Sequence, residues 1–141
     1  MLRTVFRYLL SVFFIYAGFN HLRSPEPFVA IMPRILPWPY ALVAISGWAE
    51  IIGGLGVILA QTRRIAGWGL IALLIAVFPA NIQAAIHGME LGGKPVAPWI
   101  LWVRLPFQFI FIAWVYWTCE LGKRKTPAEK PSKITNVDEI A

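Results

Sequence analysis

Six side chains suited to binding or acid–base work sit within or at the ends of apolar runs: Asn20, His21, Glu50, Asn81, Arg104 and Gln108. Glu50 is the most telling. It lies near the midpoint of a run from about Tyr40 to Ala60 that carries no other charge. Insertion scales put charged residues at the centre of a membrane helix at roughly 2.5–3.5 kcal/mol, so such a group faces protein and has a partner. Gly47, Glu50 and Gly54 fall at i, i+3 and i+7, a helical face that lets another helix come close. Arg104 and Gln108 are one turn apart on a second face. Arg104 is the expected counter-ion of Glu50, because opposite charge and hydrogen bonding favour the ionised acid against the burial that opposes it.

Two readings of this set stay open. One is a buried polar knot that fixes helix register and needs no ligand. The other is a small pocket that recognises the polar head of an apolar molecule. His21 alone is more often an interfacial residue than a catalyst. His87 reads as a loop residue, and Gln83 lies too far around its helix from Asn81 to share a site. Cys119, the single cysteine, reads as packing and excludes an intrachain disulfide or a CxxC pair in this chain. No metal set is expected, since the two histidines are too few and Glu50 has a better partner.

The elements that position these residues follow from composition. The chain has 141 residues, 58% hydrophobic and 14% charged, against about 25% charged in soluble domains. Four apolar runs of about 20 residues, the length that spans a bilayer, cover about Leu2 to Leu22, Tyr40 to Ala60, Ile65 to Ile86 and Trp99 to Leu121. The expected fold is all-α: an integral membrane four-helix bundle over 1–121, followed by a polar tail over 122–141 that is disordered at its end. The first run resembles a signal peptide but lacks a good cleavage site, so a retained helix is expected. No internal repeat is visible.

The net charge of +6 does not indicate nucleic acid, because the basic residues flank the apolar runs. Arg3, Arg7, Arg63, Arg64 and the basic tail face one side, against Arg23, Arg34 and Lys94 on the other. This asymmetry puts both termini in the cytoplasm, as in a multi-pass protein of a bacterial inner membrane. The tryptophans towards the two ends of the last run read as interfacial belts. The six polar residues then gather in the outer half of the bundle, leaving the inner half almost wholly apolar. Pro79 and Pro106 free the carbonyls of Ile75 and Trp102 beside that layer. Between the first two runs, Phe28, Ile31, Met32, Ile35 and Leu36 form a helical apolar stripe. It is either a short helix resting in the interface or a lid over the bundle mouth.

Taken in order, Tyr16-Ala17-Gly18-Phe19-Asn20-His21-Leu22, Gly47-Trp48-Ala49-Glu50 with Gly53-Gly54, Phe78-Pro79-Ala80-Asn81 and Arg104-Leu105-Pro106-Phe107-Gln108 resemble the DoxX family of small four-helix membrane proteins. The resemblance covers about residues 3–121. It implies an α-helical integral membrane protein, in some relatives tied to thiosulfate–quinone oxidoreductase or membrane redox complexes. No cofactor motif in this chain supports a redox role of its own.

The leading functional expectation is therefore a non-catalytic subunit or binding component of a membrane redox system. A quinone or similar lipid enters laterally and sets its head among the six residues, an apolar pocket with a few convergent polar groups being the pattern of a ligand site. The partners expected are the bilayer, a redox protein and a second copy of the chain. The alternatives are a structural or assembly protein, and a small intramembrane isomerase using Glu50 and His21. The different depths assigned to those two residues count against the isomerase.

Overall fold

The computed structural model describes residues 1–122, so the expected tail lies, apart from Gly122, outside the described residues. Among the described residues, four helices are long and apolar enough to cross a membrane: α1 (Leu2–Arg23), α3 (Pro39–Ile58), α4 (Arg63–His87) and α5 (Pro98–Thr118). Their bounds lie within three residues of the apolar runs. Between them come α2 (Glu26–Ala30) and a small antiparallel hairpin of β1 (Glu90–Leu91) and β2 (Lys94–Pro95). The fold is all-α apart from that hairpin. His87 closes α4 rather than standing in a loop.

The helices pack in chain order, α1 on α3, α3 on α4 and α4 on α5. α1 packs far more extensively on α3 than on α5. The reason lies in the glycine face of α3. A Cβ on Gly18 would run into the Gly47 carbonyl oxygen and stand 2.9 Å from Ile51 Cγ1, and one on Gly47 would lie 2.9 Å from both Gly18 O and His21 Cβ. One to two turns on, a Cβ on Gly54 would meet Ser11 O and Ile15 Cγ1 at 3.0 Å. Ser11 Oγ donates to Gly54 O at 2.6 Å. The backbones therefore meet along an antiparallel seam, the packing that small residues permit. The opposite face of α3 carries Trp48, Ile52 and Leu55, all more than half exposed. Apolar surface of that extent marks a face built for an apolar surrounding. This arrangement is consistent with a multi-pass membrane protein.

Two apolar clusters hold the ends. At the end bearing Met1, the Ala60–Thr62 turn and Gly122, Leu10, Phe14, Val57, Leu70, Ile71, Val115, Cys119 and Leu121 pack together. Cys119 is a packing residue here, seated against Gly67, and burial pushes its thiol pKa up. At the loop end, Ile31, Ala84, Ala85, Met89 and Leu101 form the second cluster.

Three expectations need correction. The stripe from Phe28 to Leu36 does not form one helix. α2 ends at Ala30, Ile35 is 90% exposed and Leu36 is also exposed. Pro33 has no N–H to give, and it disfavours helical backbone at Met32. The termini end is also less apolar than expected. Buried Ser11 and Thr118 stand there, Arg7 donates to Thr118 O at 2.9 and 3.2 Å, and Arg3 pairs with Glu120 at 2.6 Å. The hairpin was not anticipated, although its signal is local. Gly92 and Gly93 both take positive φ, 58° and 76°, as two-residue hairpin turns require.

Candidate functional site

All six candidate residues line one cavity of about 940 Å³ bounded by α1, the α2 segment, α3, α4 and α5. Its walls are mainly aromatic and aliphatic, with Phe13, Phe14, Phe107 and Phe111 prominent. Phe13 stacks on Phe111 across the bundle, with centroids 4.6 Å apart and planes at 22°. Phe28, Ile31, Met32, Pro33 and Leu36 also line it, so the segment between α1 and α3 contributes to its wall.

The polar residues form two groups on different walls. On α1 and α3, His21 Nδ1 lies 3.1 Å from Glu50 Oε2. The side chains are only 15% and 10% exposed. The two atoms are at ion-pair distance but off the angle of a hydrogen bond, and neither has a hydrogen-bond partner among the described residues. Phe28 packs edge-on against the imidazole, with centroids 4.0 Å apart and planes at 83°. The Gly18–Gly47 contact explains the meeting. It brings the backbones together one turn from each side chain, and the imidazole reaches the carboxylate across the seam.

On α4 and α5 the groups form a bonded chain. Arg104 Nη2 donates to Asn81 Oδ1 at 3.0 Å, and Asn81 Nδ2 donates to Gln108 Oε1 at 2.7 Å. Gln108 Nε2 donates to Leu74 O. A second guanidinium nitrogen, Nη1, reaches Met89 Sδ at 3.6 Å. The hairpin places Met89, since Val96 N donates to Met89 O at 2.9 Å. The carbonyl recruited on α4 is that of Leu74, one residue before the Ile75 carbonyl that Pro79 leaves without its helical donor.

The expected Glu50–Arg104 ion pair is not formed. Glu50 meets His21, and Arg104 is held by neutral acceptors. The glycine seam decides this, because it draws α3 onto α1 and commits the acid to that wall. The depth argument against His21 and Glu50 acting together falls with the same observation. Asn20 lines the cavity with no side-chain hydrogen bond among the described residues. Gln83 offers its backbone carbonyl to His87 Nδ1 at 3.3 Å and does not reach the cavity.

Sequence reading missed three contributors. Ser46 lines the cavity, its hydroxyl donating to Val43 O at 2.8 Å. It stands one turn before Glu50, a spacing that marks it as a candidate. Met89 carried no signal without the hairpin. The phenylalanines of α1 and α5 were visible as apolar residues but not as a lining.

What the arrangement provides is a mainly apolar cavity with a few polar side chains on two of its walls. Residues 10–119, which include every residue of both polar groups, match the model of a family described as Domain of unknown function (DUF8561). The chain belongs to this family. No curated protein and no solved structure matches it. As a DUF8561 member, it offers the geometry just described as the ground for a functional reading.

Proposed function

We propose that this DUF8561 member crosses a bacterial inner membrane four times, with both termini cytoplasmic. In that setting it binds one amphipathic, lipid-class molecule in the cavity between α1 and α5. The single observation that carries this is the convergence of all six polar candidates on a cavity of about 940 Å³ whose walls are mainly apolar. Sites for small ligands run to roughly 300–1,000 Å³ and combine apolar linings with a few placed polar groups. The exposed apolar faces of the four long helices support the membrane setting, and the Lys/Arg asymmetry supports the orientation. The DoxX-like motif order adds a membrane redox system as the setting, with a quinone as one such lipid and a redox protein as partner. No covalent step is assigned to the protein.

The bonded chain Arg104–Asn81–Gln108–Leu74 favours a second, structural role for one wall. Hydrogen bonds in series from Arg104 through Asn81 and Gln108 to the α4 backbone tie α4 to α5 whether or not a ligand is bound.

Native mass spectrometry of full-length protein released from its own membranes tests the binding reading. Wild type should retain one lipid-class adduct. Ser46→Phe, which puts a ring into the cavity, should lose it while keeping a wild-type unfolding midpoint. Absence of any adduct from wild type would remove the proposal.

A further inference from the structure

The geometry points to an acid-headed ligand: a single-chain amphiphile whose oxyanion is held by Arg104 and whose chain lies in the larger cavity. This rests on the binding reading above and narrows the head from any polar group to an anion.

The first support is the state of Arg104. Its guanidinium has five N–H donors and is half-buried, yet its side-chain partners are the amide oxygen of Asn81 and the thioether of Met89. Among the described residues no carboxylate stands within ion-pair distance of it. A cation taken out of water is stabilised poorly by neutral acceptors, and a paired anion offsets far more of that cost. Donors not engaged by Asn81 or Met89 remain to be met.

The second support is independent of the first. Arg104 lines not one cavity but two. The smaller, about 550 Å³, lies at the loop end between the end of α1, the start of α2, the hairpin and the start of α5. Its polar side chains are Tyr16, Asn20, Ser24 and Arg104, every one of them able to donate a hydrogen bond. Glu50 and His21 do not line it, and no other acidic side chain among the described residues does. Tyr16, Asn20, Phe28, Ile100 and Arg104 are common to both cavities, so Arg104 stands in the wall the two share. A head seated there faces donors and no carboxylate, while its chain continues among the phenylalanines of the larger cavity. Glu50 is kept on the other wall by the glycine seam.

The third support is preorganisation. Asn81 fixes the guanidinium, Gln108 fixes Asn81, and the α4 backbone fixes Gln108. A charged donor already locked in place loses little freedom on binding. Charge-assisted hydrogen bonds to a carboxylate or phosphate are about twice as strong as neutral ones.

The test uses full-length protein in phosphatidylcholine nanodiscs and a diazirine-bearing stearate, with labelled residues mapped by mass spectrometry. Oleate, oleoyl lysophosphatidate and oleyl alcohol compete for the label. The expected result is saturable labelling of larger-cavity residues, with at least one of the two acids competing about tenfold or more better than the alcohol. Which acid is stronger separates a carboxylate source from a phosphate source. Arg104→Gln should erase the preference for acid over alcohol, and Arg104→Lys should keep most of it. The acid-against-alcohol comparison in wild type needs no variant, so a poorly folding Arg104→Gln does not blunt the test. An alcohol that competes as well as both acids would overturn the acidic head and leave the lipid site standing. Labelling that is not saturable, or that maps outside the cavity, would remove both.

Discussion

The α1/α3 wall and the α4/α5 wall carry comparable polar groups but hold them in place by different means. On the first, two backbones meet at Gly18 and Gly47, and the acid and imidazole lie where that contact puts them, near each other but without an aligned hydrogen bond. On the second, the position of Arg104 comes from side chains bonded in series to the Leu74 carbonyl. One wall is set by absence of side-chain bulk, the other by hydrogen bonding. The first should therefore be sensitive to added volume and the second to lost partners. Glu50 Oε2 and His21 Nδ1, both buried without a hydrogen-bond partner among the described residues, belong to residues that line the cavity, as does Arg104.

The largest effect expected is that of volume on the seam. Gly18→Val should cost about 3 kcal/mol or more, the upper range for overpacking, because the obstruction is the Gly47 carbonyl, which cannot rotate away. Gly69→Ala is the control. A Cβ there meets nothing within 4 Å, so the change should stabilise α4 by up to about 1 kcal/mol through helix propensity. Unfolding in a denaturing detergent titration would measure both, and equal effects would dissolve the distinction between the walls.

Next comes loss of partners. Asn81→Ala strips a donor from Gln108 and an acceptor from Arg104, and should cost about 2 kcal/mol. Glu50→Gln should cost less than about 1 kcal/mol, since Oε2 has no hydrogen bond to lose. The reverse order in thermal unfolding would mean that the acid, not the amide chain, holds the bundle.

A finer comparison is a pair of double-mutant cycles. Glu50→Gln with Arg104→Gln should be additive within about 0.5 kcal/mol, as for residues that do not touch. Glu50→Gln with His21→Ala should show coupling above that value. Coupling of about 1.5 kcal/mol or more between Glu50 and Arg104 would restore the direct ion pair. The smallest effect is expected at the termini end. There Arg3→Gln removes a partly exposed pair with Glu120 and should change stability by no more than about 1 kcal/mol, with lipid binding unaltered.

Much of this was legible in the chain. Helix number and bounds follow from apolar run length, and the close face of α3 follows from Gly47, Glu50 and Gly54 at helical spacing. The convergence of the six polar residues also follows, because antiparallel spans give each one a depth. The partners of Glu50 and Arg104 did not. Periodicity assigns a face within each helix but not which neighbour that face meets. Here the unread fact was that Gly18 and Gly47 oppose each other and commit Glu50 to α1. Met89 was hidden for a related reason, since the Gly92-Gly93 hairpin that delivers it to Arg104 lies outside any periodic segment. The limit that Pro33 sets on the stripe after Phe28 was readable in the sequence, but the end of α2 at Ala30 was not.

Direct observation of the cavity contents is the sharpest test of the central claim. A structure of the full-length protein purified in its own lipid should show elongated density between α1 and α5, its head at Arg104 and its chain beside Phe13 and Phe111. A bundle closed over that space, with Arg104 turned onto Glu50, would contradict the account.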